Sequence, residues 1–410
     1  MTVLRRILGL LAGLAMLESV YAGLDLSSNS TVAVYWGQNS YRGTGNLAQQ
    51  RLGYYCTPEI DFSTASEKCD TFNGTNLKNC PEIGEDITKC QSKGKTILLS
   101  IGGATYSEGG LTSESAAESS ADLLWATFGP DKGDAKVYRP FGKAVLDGFD
   151  FDFEAAVTNT GTLATRLRTV MDADKSKKYF LTAAPQCPFP DAADKDILNT
   201  DSSAAIDAVF VQFYNNFCGV NAYTPSSGSS TPSPGASVGN FNLATWDKWA
   251  LTESKNKHVR VFLGVPANTG AASTGYLPVG SLEPVIAYSK GFESFGGVMM
   301  WDVTQAYGNQ GFLDGVKKAL GKQEQHTPQL SPQVTATTAS ASTATATATV
   351  AKPQESQVQP AAASPAGPAQ QGTQAEEQQQ NQDQGDDQFG SLNLLPSLLE
   401  PDDDLDWVQI

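Results

Sequence analysis

The chain has 410 residues, of which 40% are hydrophobic and 9% aromatic, enough to bury a large core. Its formal net charge is −16, but residues 353–410 contain 11 acidic residues and no Lys or Arg. The rest of the chain therefore has 28 basic and 33 acidic residues, a net charge of −5. Such a balance offers no basic face for a nucleic-acid backbone, so we predict no nucleic-acid partner. Two histidines and six cysteines without C-x-x-C spacing predict no metal centre, and nothing in the sequence implies a cofactor.

Residues 1–22 have the pattern of a secretory signal peptide. Arg5 and Arg6 precede an apolar run, residues 7–17, that is too short to cross a bilayer, and Val20-Tyr21-Ala22 offers small or modest residues to a signal peptidase. We therefore predict a secreted protein, extracellular or in a cell wall, that does not span a membrane. Secretion favours three disulfides among the six cysteines and makes Asn29 and Asn73 candidate glycosylation sites, because each begins an N-x-S/T sequon.

Short β-rich runs alternate with helix-like stretches through residues 23–321, which we assign to one catalytic domain. The predicted strands are residues 31–36, 96–100, 146–153, 179–183, 208–214, 259–265 and 297–301, and two of the predicted helices are residues 115–125 and 161–171. Regular alternation of this kind predicts a parallel sheet covered by helices. At this length a closed (β/α)8 TIM barrel is the expected α/β architecture.

The third of these strands contains Asp147-Gly-Phe-Asp-Phe-Asp-Phe-Glu154. Side chains on a strand alternate between its faces, so Asp150, Asp152 and Glu154 share one face at intervals of about 6.5 Å, and the Phe residues share the other. In a barrel the Phe row would pack under the helices. The acids would line the interior towards the C-terminal mouth, where barrel enzymes carry out catalysis.

Three inward carboxyl groups cannot all ionise cheaply, because like charges close together in a partly desolvated site raise the pKa of at least one of them. A carboxyl group that keeps its proton near neutral pH can act as a general acid. Glu154 is expected nearest the mouth and is therefore the predicted acid.

The composition changes near Gly321. Residues 335–349 contain only Thr, Ala and Ser, and Gln- and acid-rich sequence follows. A segment of this composition cannot bury enough apolar surface to offset its ordering entropy. We predict a disordered linker over residues 322–388 and a short acidic C-terminal segment over residues 389–410.

The acidic strand, together with Ser100-Ile-Gly102-Gly103 before it, closely resembles the family 18 glycoside hydrolases. The segments at residues 33–39, 183–188 and 211–216 resemble the plant- and fungal-type class III chitinases within that family. The resemblance covers about residues 30–318. It implies a monomeric chitinase that hydrolyses internal β-1,4 bonds of chitin or chito-oligosaccharides.

The resemblance also implies roles for individual residues. Glu154 would be the general acid and base of a retaining, substrate-assisted mechanism, and Asp152 would orient the sugar acetamido group. Asp150 would hold or share a proton with Asp152, and Tyr214 would hydrogen-bond the same acetamido group. Further expected substrate contacts are Trp301, Gln212, Asn215 and Tyr35, and the expected structural motif residues are Asp147, Ser100, Gly102 and Gly103. The implied disulfides are Cys56–Cys90, Cys69–Cys80 and Cys187–Cys218.

The sequence departs from the family pattern where the second barrel strand is expected. Residues 51–61 run almost directly into the first Cys-rich loop without an apolar run. The strand is therefore missing or degraded, and a barrel without it would have two unpaired edges. Three explanations remain open: an incomplete gene model, a poor replacement strand near residues 54–62, or a diverged member of the family, either active or inactive.

Two functions compete with an endochitinase. A chitin-binding or lectin-like protein could use the same scaffold without catalysis, although the acid at Glu154 favours an enzyme. An endo-N-acetylglucosaminidase acting on N-glycan cores could use the same acids.

Overall fold

The computed structural model describes residues 24–38, 40–42, 69–75, 77–104, 111–198, 204–225 and 238–321. The predicted signal peptide, the C-terminal segments from residue 322 onwards, and residues 43–68, where the second strand was sought, lie outside these ranges. The assignments made for them therefore remain predictions.

Seven strands form a parallel sheet, and two short strands form an antiparallel hairpin. The sheet strands are β1 (Thr31–Val34), β4 (Leu98–Gly103), β5 (Gly148–Phe153), β6 (Phe180–Ala183), β7 (Ala208–Gln212), β8 (Arg260–Pro266) and β9 (Phe295–Trp301). The hairpin consists of β2 (Asp70–Thr71) and β3 (Lys78–Asn79). The seven predicted sheet strands are confirmed, with ends shifted by a few residues.

The described helices alternate with the strands. They are α1 (Pro81–Ser92), α2 (Glu114–Phe128), α3 (Thr160–Ala173), α4 (Lys195–Leu198), α5 (Leu243–Thr252), α6 (Val279–Ser289), α7 (Val303–Gly308) and α8 (Phe312–Ala319). Local signals fix several starts: the Ser113 side chain caps α2 by accepting from Ala116 N at 3.1 Å, and Asp302 caps α7 by accepting from Gln305 N at 2.9 Å. None of the helices in these ranges combines the length and apolarity needed to cross a membrane.

The strand order is β1-β9-β8-β7-β6-β5-β4, with every neighbouring pair parallel. This confirms the α/β class and gives seven strands of a (β/α)8 barrel. Within the described residues, β1 pairs only with β9 and β4 only with β5. The second strand of a barrel belongs between β1 and β4, and the residues that would supply it are not among those described.

The alternation of side chains on the strands produces two separate cores. Phe149, Phe151 and Phe153 point outwards and belong to the large hydrophobic cluster that includes Leu163 and Leu167 of α3. Burying each Phe contributes about 1.5–3 kcal/mol. A smaller cluster contains inward-facing strand residues: Tyr35, Leu98, Phe180, Ala208, Phe210, Phe262 and Met299. The interior is therefore packed with side chains and does not form an open channel.

Asp147 ties the start of β5 to its surroundings. Its Oδ2 accepts hydrogen bonds from Ile97 N at 2.8 Å and Gln91 Nε2 at 2.9 Å, and its Oδ1 accepts from Lys177 Nζ at 2.6 Å. These bonds connect β5 to the residue before β4, to α1 and to the segment before β6. Asp147 is thus a structural residue at the end of the strand opposite Glu154.

We predict that Asp147→Ala lowers the free energy of unfolding by about 2–4 kcal/mol, because it removes the carboxylate that pairs with the partly buried Lys177 and the acceptor of the Ile97 backbone N–H. The control is Asp122→Ala, which removes an exposed ion pair with Arg166 and should cost no more than about 1 kcal/mol. Urea denaturation of both variants measures the difference, and equal losses would contradict the role given to Asp147.

Candidate active site

Three carboxyl groups lie along the inner face of β5 and just beyond its end. Asp150 is fully buried, Asp152 is 4% exposed, and Glu154, which follows the strand, is partly exposed. Exposure therefore rises along the row from the middle of the barrel to its mouth. Glu154 is the member of the row that a solvent-borne substrate reaches most easily.

Asp150 is surrounded by hydroxyl donors from three neighbouring parts of the barrel. Its Oδ2 accepts from Tyr35 Oη and Ser100 Oγ, both at 2.9 Å, and its Oδ1 accepts from Thr182 Oγ1. Strand register explains this convergence, because Ser100 of β4 and Thr182 of β6 are the residues paired directly with Asp150. Burial raises the pKa of Asp150, and the three hydroxyl hydrogen bonds oppose that rise.

Gln212 links the two outer carboxyl groups. Its Nε2 donates to Asp152 Oδ1 at 3.0 Å, to Glu154 Oε1 at 3.4 Å and to Ala184 O at 3.0 Å. Gln212 ends β7, two strands away from β5 in the sheet, and its side chain crosses the interior to reach the acids. The amide holds both carboxyl groups on one side and leaves Glu154 partly open to the mouth.

The site holds protons more tightly than isolated carboxyl groups would. Burial, followed by the charges of Glu154 and Asp150, raises the pKa of Asp152 well above its usual value. Burial also raises the pKa of Glu154, the Gln212 hydrogen bond lowers it, and the nearby Asp191 charge raises it. The row therefore keeps its protons to a higher pH than isolated carboxyl groups do, and Glu154 is placed to give one up.

Tyr214 and Asn215 follow β7 at the mouth. Tyr214 is buried, and burial is the main cause that raises its pKa well above the usual value; the charges of Asp152 and Glu154 raise it further. Its hydroxyl therefore stays neutral and can donate a hydrogen bond. The Asn215 side chain is exposed, and its Oδ1 accepts from Thr274 N at 3.0 Å while its own backbone N donates to Thr274 O at 3.1 Å. Asn215 thus fastens the loop that carries Tyr214 to the loop after β8.

Two aromatic residues lie near the acids from the β1 and β9 side. Trp301 ends β9 and is partly exposed, and its ring centroid is 5.5 Å from that of Tyr35. Tyr35 is 1% exposed, and its hydroxyl donates a hydrogen bond to Asp150. The structure therefore gives Tyr35 a role in holding Asp150, and leaves Trp301 as the ring that a ligand can reach.

Gly102 is required by the close approach of β4 to β5. Its φ is +114°, and a Cβ at this position would lie 2.5 Å from the backbone O of Asp152. Gly103 has a φ of +103° with no atom within 4 Å of a hypothetical Cβ, so only its backbone conformation favours glycine. Any larger residue at position 102 would push β4 away from the acid row.

Two further acids beside the row were not identified from the sequence. Asp191 accepts backbone hydrogen bonds from Gln186 N, Ala193 N and Asp194 N at 2.8–3.2 Å. Asp194 is fully buried, and neither of its carboxylate oxygens has a hydrogen-bond partner among the described residues. Burial and the charges of Asp191, Asp152, Asp150 and Glu154 raise its pKa well above the usual value. The only feature of the sequence that points to them as site residues is that both acids follow a predicted strand, at the end of the barrel where Glu154 lies.

Two of the implied disulfides are present, Cys69–Cys80 and Cys187–Cys218. Cys90 is also disulfide-bonded, and Cys56, its implied partner, lies outside the described residues. Asn29 and Asn73 are both exposed, as a glycosylation site must be, and whether they are modified remains a prediction. No group of three or more His, Cys, Asp or Glu side chains in the described ranges is arranged to hold a metal ion.

Comparison with known proteins gives consistent findings. The family model for glycosyl hydrolases family 18 matches residues 31–275. The chain is 49% identical to a class III chitinase of Arthroderma benhamiae, over 78% of this chain and 94% of that protein, and 44% identical to endochitinase 33 of Trichoderma harzianum, over 75% and 97%. Among solved structures, the xylanase and α-amylase inhibitor protein XAIP-II of Scadoxus multiflorus is 29% identical with a TM-score of 0.53, over 72% of this chain and 99% of that one.

We predict that Asp194→Asn makes the protein more stable than the wild type by an amount that grows as the pH rises above the usual carboxyl pKa. The folded state raises the pKa of Asp194, so the native protein binds this proton more tightly than the unfolded chain. That stabilisation is complete below the usual carboxyl pKa and is lost as the pH rises through the raised value, whereas Asn has no proton to lose.

Urea denaturation at several pH values measures the effect, with Asp131→Asn as an exposed control. A difference that stays constant from pH 4 to pH 8 would show that the charge of Asp194 is not what costs stability.

Proposed function

The chain belongs to family 18 of the glycosyl hydrolases, and we propose that it is a secreted endochitinase that cuts β-1,4 bonds between N-acetylglucosamine units. The observation that carries the proposal is the row Asp150–Asp152–Glu154, in which Glu154 is partly exposed at the barrel mouth and burial raises its pKa. Relatives with the names class III chitinase and endochitinase 33, at 49% and 44% identity, support the choice of chitin as substrate.

The first step breaks the glycosidic bond. Glu154 gives its proton to the bridging oxygen of the glycosidic bond. The acetamido oxygen of the sugar that contains the anomeric carbon attacks that carbon from the opposite face. The bond from that carbon to the bridging oxygen breaks, and a cyclic oxazolinium ion forms within the sugar. The leaving chain departs with the proton, and Glu154 becomes a carboxylate.

The second step restores the enzyme. The Glu154 carboxylate takes a proton from a water molecule, which attacks the anomeric carbon while the bond to the acetamido oxygen breaks. Two inversions at one carbon give a product that retains the original configuration. The raised pKa of Glu154 suits it to both directions of proton transfer.

Asp152 and Asp150 manage the charge that develops on the acetamido group. Asp152 accepts from the acetamido N–H and so stabilises the positive oxazolinium ion, for which a carboxylate beside a buried site is effective. When Asp152 accepts this hydrogen bond as a carboxylate, its own proton must move inwards to Asp150, the neighbouring carboxyl group along the row. Until Asp150 takes up that proton, the hydroxyls of Tyr35, Ser100 and Thr182 stabilise its negative charge.

Other residues hold the sugar. The neutral hydroxyl of Tyr214 donates to the acetamido oxygen, and Gln212 keeps Asp152 and Glu154 in place for the same group. The partly exposed ring of Trp301 offers an apolar face to the pyranose ring.

A second candidate is a binding protein on the same scaffold. It is favoured by the likeness to XAIP-II, which is described as an inhibitor protein. An endo-N-acetylglucosaminidase is a further alternative, since the same acids would serve it. Secretion is supported by the signal-like residues 1–22 and by the disulfides, which form in oxidising compartments.

We predict that protein recovered from the medium of an expressing culture hydrolyses a fluorogenic chitotriose glycoside and colloidal chitin, and that Glu154→Gln lowers kcat at least a hundredfold while chitin is still bound, because Gln is the same size but cannot transfer the proton. Glu118→Gln, at an exposed position on α2, should retain full activity.

Equal activity in the wild type and Glu154→Gln would contradict the proposed acid. A folded wild type that binds chitin without cutting it would favour the binding protein. Release of sugars from an N-glycoprotein but not from chitin would favour the endo-N-acetylglucosaminidase.

A further inference from the structure

One exposed aromatic ring at the mouth of the barrel has no role in the chemistry above. Phe217 is 69% exposed, more than any other large hydrophobic residue in the described part of the chain. It lies three residues after Tyr214 and directly before Cys218. Phe217 therefore lies in the turn after the carboxyl end of β7, at the same end of the barrel as Glu154.

The turn that carries Phe217 is held rigidly. The Cys187–Cys218 disulfide joins it to the segment after β6, and Asn216 Nδ2 donates to Gln186 Oε1 at 2.9 Å across the same two segments. Within the turn, Gly219 N donates to Asn216 O at 3.2 Å. A binding partner of the ring therefore meets a backbone that is already ordered, which lowers the entropic cost of binding.

Phe217 differs from the other exposed large aromatic residue because no described ring packs against it. No ring contact involves it among the described residues, whereas the other exposed large aromatic, Tyr138, is 45% exposed and stacks on Phe72 at 4.7 Å. The turn, which the disulfide holds at the mouth of the barrel, therefore keeps one face of this apolar ring accessible to a ligand. The flat faces of pyranose rings are a ligand surface that stacks well on an aromatic ring.

We propose that Phe217 is a sugar-stacking residue that binds a unit of the chitin chain beyond the sugar held by Asp152, Tyr214 and Trp301, and that it sets the preference for long chains. The proposal rests on the proposed function, because it takes the substrate to be a chain of N-acetylglucosamine units. Phe217 lies at the end of β7 and Trp301 at the end of β9, two strands away in the sheet. A chain that lies across the mouth can contact both rings, whereas a short one occupies only the sites next to the acids.

The test compares Phe217→Ala with the wild type on chitohexaose and on a fluorogenic chitotriose glycoside. We expect kcat/KM for chitohexaose to fall about three- to tenfold, mainly through KM, while the value for the short glycoside stays within about twofold. Phe217→Trp should restore the activity on chitohexaose. Tyr138→Ala, the matched exposed aromatic in the connection before β5, should leave both activities unchanged.

Binding of Glu154→Gln to insoluble chitin, with and without Phe217→Ala, provides a readout that does not depend on turnover. Weaker chitin binding in the double variant would support the stacking role of Phe217. An inactive wild type would contradict the proposed catalysis, but it would not affect this binding result. Unchanged chitohexaose kinetics and unchanged chitin binding would overturn the proposal for Phe217. An equal loss on long and short substrates would also overturn it, because the ring would then act on the catalytic centre and not on chain length.

Discussion

The structure depends on the burial of a row of carboxyl groups along one face of a single strand. Asp150 and Asp152 are almost completely removed from water, and Glu154 is only partly exposed. A buried charge is costly, so the protein keeps protons in this row and supplies hydrogen-bond donors where charge must remain. The raised pKa values of Asp152 and Glu154 follow from this one constraint.

The packing and register of the strands hold the buried carboxyl groups in place. The outer face of β5 packs three Phe rings against the helices, and that packing fixes which face the acids occupy. Strand register then brings Ser100 and Thr182 level with Asp150, and Gly102 lets β4 come close enough to β5 for this to happen. Stability and chemistry thus depend on the same register, and a slip of one residue would remove both.

The strands could be predicted from the sequence, but the contacts that Thr182, Asp191 and Asp194 make with the acid row could not. The alternation of acid and Phe in residues 149–154 is a local pattern, so the shared face and the exposed position of Glu154 follow from chain geometry alone. Thr182, Asp191 and Asp194 come from a segment that follows β5 by a helix, and only tertiary pairing places them beside it. The resemblance to a known family suggested that Tyr35 contacts substrate, but the structure buries it against Asp150. Residues 43–68, where the family pattern places the second strand, lie outside the described residues, so the missing or degraded strand remains a prediction from the sequence.

The most direct test of the central claim is a carboxyl-carbon NMR titration of protein labelled with ¹³C-aspartate, with Asp152→Asn used to assign the Asp152 signal. The account predicts that this signal titrates well above the usual value of about 3.9 for Asp, and that it responds to Glu154→Gln because the two groups are electrostatically coupled. An Asp152 signal that titrates at the usual value and is insensitive to Glu154 would show that the row is not proton-retaining, and the account of both the site and its chemistry would fail.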